Sequence, residues 1–204
     1  MTKARPLVIQ VNLYKSVRLF WRETKSLEFK TIQKPRLMQW RREQTSERVE
    51  RPTRIDRARA IGYRAKPGFV VVRTKVRRGG RRMSRPSRGR TGKGLAVSDI
   101  TPGRNLRSIA ETRTARRYTN LEVLGSYWVG QDGKSKWFEV ILVDPSHPAI
   151  YKDHRIGWIR NKQHTRRVFR GLTSAGRKGR GLQRKGKGSE KARPSNRKHG
   201  NRNK

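Results

Sequence analysis

Two runs decide the fold: LEVLGSYWV, residues Leu121–Val129, and KWFEVILVD, residues Lys136–Asp144, with Asp132-Gly133 between them. Both are dense in β-branched and aromatic residues, which suit a pleated, half-buried surface. Asp-Gly favours a tight hairpin because both residues tolerate a positive φ. A two-residue turn there sets Trp128 opposite Trp137 and Leu124 opposite Ile141; a longer loop would shift that register. From Trp137 to Val143 both faces of the second run are apolar apart from Glu139. That pattern predicts a central strand of an antiparallel sheet, covered on both sides.

Working outward, Gly68 to Arg77 reads as another strand through Phe69-Val-Val-Val72, Thr74 and Val76. Before it, Thr53 with Asp56 three residues on resembles a capping box. Ile55, Ala58 and Ile61 then mark one helix face, and Gly62 fits the stop. Thr101-Pro102 predicts a helix start, with Leu106, Ile109 and Ala110 as its apolar stripe and an end near Tyr118 to Asn120. In the first fifty residues Tyr14, Val17, Phe20 and Trp21 recur at helical spacing, and Leu37, Met38 and Trp40 predict a second helix after Pro35. Beyond Asp144-Pro145 the chain is irregular. Ile150, Ile156, Trp158 and Ile159 fold back on the core, and Val168-Phe169 is the last large apolar pair.

The expected fold class is α+β: a small antiparallel sheet with packed helices, a long basic loop and a C-terminal extension. Residues 1–50 form a basic helical segment, and 51–170 an α+β core with an internal basic loop at about 77–98. Residues 171–204 form a basic, Gly-rich extension. That extension has no aromatic and no β-branched aliphatic residue. It cannot offset its ordering entropy by apolar burial and is expected to be disordered when free.

The 204 residues include 54 Lys plus Arg against 14 Asp plus Glu, a formal net charge of +40. Such an imbalance repels itself unless a polyanion neutralises it. A membrane is the wrong polyanion, because no apolar run approaches the roughly 20 residues that span a bilayer. Lys3 and Arg5 before Leu7-Val8-Ile9 faintly suggest a leader, but Gln10, Asn12 and Lys15 break it too early. Nucleic acid remains, with its phosphates and displaceable counterions.

Catalytic chemistry is missing. There is no cysteine, which excludes disulfides and thiolate metal sites. His147, His154, His164 and His199 include no pair at zinc-helix spacing. Gly181 to Lys187 nearly matches a P-loop, but Gly188 stands where the magnesium-binding Ser or Thr belongs, and no strand precedes it. Asp132, Glu139, Asp144 and Asp153 fit a turn residue, a salt-bridge partner and a strand-end cap better than an acid/base set. No enzyme and no cofactor are expected; any structural Mg²⁺ or K⁺ would belong to the RNA.

The basic segments carry the binding chemistry. Glycine lets backbone approach a phosphate, and successive N–H groups form an anion nest. Arginine adds a planar fork that grips two phosphate oxygens and stacks on bases. Arg77-Arg-Gly-Gly-Arg-Arg82 and Gly171 to Gly181 have both features. The candidate RNA-binding residues are Arg51, Arg54, Arg57, Arg59, Arg64 and Lys66 in the first helical stretch. Arg77, Arg78, Arg81, Arg82, Arg85, Arg88, Arg90 and Lys93 follow in the loop. Arg113, Arg116 and Arg117 stand on the second core helix, and Arg166, Arg167, Arg170, Arg177, Lys178 and Arg180 near the C-terminus. A charge run alone would equally suit a DNA compactor or an RNA chaperone. A small folded centre with a basic loop and tail suits a protein threaded into one large, fixed RNA.

Five ordered stretches carry a family resemblance: Arg51-Pro-Thr-Arg54 with Asp56-Arg-Ala-Arg59 and Gly62-Tyr63; Val76-Arg-Arg-Gly-Gly-Arg81; Leu121 to Gly130; Trp137 to Pro145; and Arg170 to Leu182. Across roughly residues 35 to 182 the chain resembles the L-fifteen-e family of large-subunit ribosomal proteins in archaea and eukaryotes. The missing cysteine and Asp144-Pro-Ser-His-Pro148 look archaeal. The resemblance implies a structural role in the large subunit, in the cytoplasm, with rRNA and neighbouring ribosomal proteins as partners. No membrane partner and no homo-oligomer are expected.

Overall fold

A computed structural model describes residues 12–81, 88, 89, 92 and 102–183. Its centre is a four-stranded antiparallel sheet ordered β1-β2-β4-β3, made of β1 (Ser46–Val49), β2 (Phe69–Arg77), β3 (Glu122–Gln131) and β4 (Ser135–Val143). The fold is α+β. β4 lies between β2 and β3 and is covered on both sides, as its two apolar faces require. Trp137, Ile141 and Val143 join one core with Val71, Tyr127, Val129 and Trp40. Phe138, Val140 and Leu142 join the other with Val72, Val76, Val123 and Ala110.

The hairpin register departs from the simple two-residue turn at Asp132-Gly133. The Asp132 carboxylate accepts from Lys134 N at 2.8 Å and Ser135 N at 2.6 Å, which moves the turn one residue along. Gly130 therefore faces Trp137, and Trp128 faces Phe138. β3 then takes up two extra residues, Val129 and Leu124, in bulges that each shift the register by one. By Val123, opposite Leu142, the pairing is what the tight turn would have set.

Two layers cover the sheet. On the Trp137 face sit α2 (Leu27–Arg42), α3 (Ile55–Ile61), the one-turn α5 (Pro148–Tyr151) and a 3₁₀ turn at Gly157–Arg160. α1 (Leu13–Phe20) packs near α3. α4 (Leu106–Arg117) covers the Phe138 face, and α6 (Ser174–Gly179) packs against α4 and β3.

Local starts and stops differ instructively from the sequence pattern. α2 does not begin after Pro35; Ser26 caps it and Pro35 lies within it. Phe29, Gln33 and Trp40 are its buried residues, at near-helical spacing, and that packing outweighs the lost backbone hydrogen bond. Thr53 does not cap α3. Its N–H and hydroxyl both donate to the buried Glu139, so α3 starts at Ile55 and ends at Gly62 with φ 110°. α4 starts at Leu106, with the Asn105 side chain accepting from Ser108 N at 2.8 Å; Pro102 precedes the helix.

Residues 171–183 are described, and they include the short α6 (Ser174–Gly179) in a stretch with few apolar residues. Polar burial replaces the missing apolar burial. Thr173 caps α6 and donates to the fully buried Glu111 at 2.6 Å. Asn105 donates to Ala175 O at 3.2 Å. Gly171 and Gly176 touch so closely that a Cβ on Gly176 would lie 2.6 Å from the Gly171 Cα.

Candidate nucleic-acid interface

The Gly79-Gly80 turn after β2, the start of α4 and the hook of α6 enclose an open groove of about 780 Å³. Arg81, Arg104, Arg107, Lys136 and Lys178 line it, with no carboxylate among the described lining residues. No described residue other than its chain neighbours comes within 4 Å of where a Cβ on Gly79 or Gly80 would stand, so the turn leaves room for a phosphate against bare backbone. Burial lowers the Arg107 pKa; Glu111 opposes the shift and nearby Arg57 adds to it. Arg107 keeps its place by donating to Ser126 Oγ at 2.8 Å. The Glu111 carboxylate lies 3.9 Å from its guanidinium.

Arg81 and Lys178 are among the candidates expected from the sequence; Arg104, Arg107 and Lys136 join them in the groove and were not among those candidates. Two signals pointed to them. Arg104 and Arg107 flank Asn105, which is the true cap of α4. Lys136 alternates with Phe138, Val140 and Leu142 and so shares the face that α4 covers.

The other candidates divide by exposure. Arg51, Arg57, Arg64, Arg77, Arg88, Arg113, Arg116, Arg166 and Arg177 are exposed. Arg59 is exposed and lies over the Tyr14 ring. Arg78 donates to Asp132 O, Arg117 to Ser46 O, and Arg170 to Thr165 O, all from exposed positions. Arg180 is half-buried against Gly171. Lys66 pairs with Asp153 at 2.6 Å and also donates to Ala149 O. Arg82, Arg85, Arg90 and Lys93, with most of the loop at 77–98, lie outside the described residues.

Arg54 and Arg167 face inward. Arg167 donates to Val123 O at 2.7 Å and Leu124 O at 3.0 Å, at the first β3 bulge, and stacks near Trp158. Arg54 stacks on Trp21 and reaches Trp128 O at 3.5 Å, at the second bulge. There Gln33 donates to Val129 O at 2.6 Å. Bulges leave carbonyls without a ladder partner, and buried carbonyls need one. These side chains supply it. Burial lowers both arginine pKa values, partly offset by Asp56 at Arg54 and by Glu111 and Glu122 at Arg167.

Carboxylates are also drawn in. Glu43 holds Arg73, Glu122 accepts from Arg166 N, Asp144 from Ser146 N, and Glu139 from Thr53. Burial raises the Glu139 pKa against those donors. Among the described residues, no cluster of three or more His, Cys, Asp or Glu could hold a metal. No described helix is long and apolar enough to cross a membrane.

A sequence profile of the family described as "Ribosomal L15" matches residues 12–199. The chain belongs to the ribosomal L15 family. It is 54% identical over 191 residues to a protein of the archaeon Methanospirillum hungatei named "Large ribosomal subunit protein eL15". That match covers 94% of this chain and 97% of the relative. The family consists of ribosomal structural proteins and not of enzymes.

Proposed function

We propose that this chain is a structural constituent of the large ribosomal subunit in the cytoplasm, holding folded rRNA through phosphate contacts. The observation that carries the reading is the groove of five cations, with no carboxylate among its described lining residues and with glycine backbone in its wall. Exposed arginines on α3 and α4, and the basic segments at 82–101 and 184–204, extend the same chemistry along the chain. Segments of that composition enter crevices between RNA helices that a folded domain cannot. Neighbouring large-subunit proteins are the other partners. The chain acts as a single copy, and Mg²⁺ or K⁺ at the interface is held by the RNA.

Filter binding of the full chain to large-subunit rRNA tests this. Six to ten neutralised phosphates should weaken binding by about three to five powers of ten between 50 and 200 mM salt. Replacing Arg104, Lys136 and Lys178 together by Gln removes up to three contacts, and the logarithmic salt slope should fall by about 0.7–0.9 for each. A flat salt response in the unaltered protein would overturn the proposal.

A further inference from the structure

A second hollow, of about 360 Å³, opens between the end of α4, the start of β3 and the 161–170 loop. Its floor is apolar: Ala115, Leu121, Val168 and the ring of Phe169. Its rim is charged, with Arg116 and Arg166 beside Glu122, the sole carboxylate among the described residues lining it. We propose that this pocket takes a nucleobase turned out of an RNA strand, guanine above the others. The inference rests on the RNA-binding reading above and goes beyond it from phosphate contact to base recognition.

Three observations carry it. First, the volume falls in the range of small-ligand pockets, about 300–1,000 Å³, and the lining combines an apolar floor with a few convergent polar groups. Phe169 is 38% exposed, so part of its ring is open to stacking. Unstacked bases are held on such rings and on arginine planes. Second, the rim is matched to one base. The Watson–Crick edge of guanine carries two adjacent donors, N1–H and N2–H, for a carboxylate, and O6 and N7 accept from arginine. Adenine, cytosine and uracil cannot offer both.

Third, the pocket is built before any ligand arrives. Arg166 has φ 52°, the one non-glycine positive φ among the described residues. Backbone in that region persists only where its surroundings over-determine it, and it concentrates at binding sites. Arg167 clamps the loop to Val123 O and Leu124 O, and Arg170 clamps it to Gln163 O and Thr165 O. The turn so held points Arg166 N at Glu122 Oε1, 2.7 Å away. One carboxylate oxygen is thereby anchored and acceptor capacity is left for a base edge.

The test uses the full chain and labelled uridine heptamers whose central base is G, A, C or U, read by fluorescence anisotropy. The G heptamer should bind roughly fivefold to a hundredfold more tightly than the other three. Glu122→Gln keeps an acceptor for Arg166 N but should erase that preference. Phe169→Ala should weaken the G heptamer by a similar factor, and Phe169→Trp should retain it. Circular dichroism checks that each variant folds. The salt slope should match the unaltered protein throughout, because no phosphate contact is removed. Equal affinity for all four heptamers, or indifference to Phe169→Ala with the salt slope intact, would overturn the pocket and leave the phosphate reading standing. Loss of salt-dependent RNA binding in the unaltered chain would overturn both.

Discussion

Arg167→Met separates an arginine that builds the fold from one that grips RNA. Methionine preserves much of the stem and its packing but removes every donor. Two backbone carbonyls, Val123 O and Leu124 O, would lose partners now at 2.7 and 3.0 Å. Each buried, unsatisfied carbonyl costs about 1–3 kcal/mol. Relief of the guanidinium's own desolvation, which already lowers its pKa, returns part of that. The net loss should be about 2–5 kcal/mol, and for a chain of this size the melting temperature should fall on the order of 10 °C. Urea unfolding followed by tryptophan fluorescence measures the first quantity, and filter binding to rRNA measures the salt slope in the same variant. A lower midpoint with an unchanged slope is expected. An unchanged midpoint with a slope reduced by about 0.9 would refute the reasoning, because it would make Arg167 a phosphate contact.

Gly130→Ala should destabilise by about 1–3 kcal/mol, because its Cβ would meet the Trp40 ring at 2.9 Å and Leu37 at 3.2 Å where α2 seats on β3; urea titration measures it. Thr173→Val removes the cap of α6 and a donor to buried Glu111, so trypsin should cut after Arg177 and Lys178 faster than in the unaltered chain. Equal cleavage rates would mean the hook is held by something else. Two carboxyls should titrate in opposite directions by carbon-13 NMR. At Asp132, burial pushes the pKa up, but donation from Ser135 N, the Arg41 side chain and Lys134 N outweighs it and the net shift is down. Its contribution to stability is full above the unfolded carboxylate value, near 4, and is lost as pH falls through the folded one. Burial moves Glu139 up, so its contribution is full below the unfolded value and is lost as pH rises through the folded one. Midpoints displaced in the reverse order would contradict both assignments.

Much of the fold was legible because it depends on alternation and turn chemistry. The two-faced apolar run from Trp137 to Val143 required a central strand, and it is one. Gly62 marked a helix stop that has the expected left-handed backbone. What was not legible depends on partners distant in sequence. Thr53 looks like a cap only while Glu139, 86 residues away, is out of view. Pro35 looks like a helix boundary until the burial of Phe29 and Trp40 on either side is known. β1 was hidden because Ser-Glu-Arg-Val is short and polar, as an edge strand can be. At the candidate interface the residue type was readable and its duty was not. Arg54 and Arg167 have the same local surroundings of basic sequence as Arg57 and Arg166, yet the bulges of β3 draw the first pair inside.

That division gives a physical account of how so basic a chain can fold and still present its charge outward. Glu43, Asp56, Glu111, Glu122, Asp132, Glu139, Asp144 and Asp153 each have a hydrogen-bond or ion-pair partner within the fold. The remaining described carboxylates, Glu23, Glu28, Glu47 and Glu50, all lie between the end of α1 and the residue after β1. At the groove of α4 and α6 the carboxylate within reach of a lining cation is the buried Glu111, 3.9 Å from Arg107, while the β1 edge carries both signs on its surface. Inside, Arg54 pairs with Asp56 and Arg73 with Glu43, while Arg167 sits on the carbonyls of Val123 and Leu124. Most of the described carboxylates are thus engaged within the fold, and exposed arginines remain on α3, on α4 and around the groove. In the proposed function, a polyanion laid on these surfaces would relieve the chain's self-repulsion and gain affinity from it.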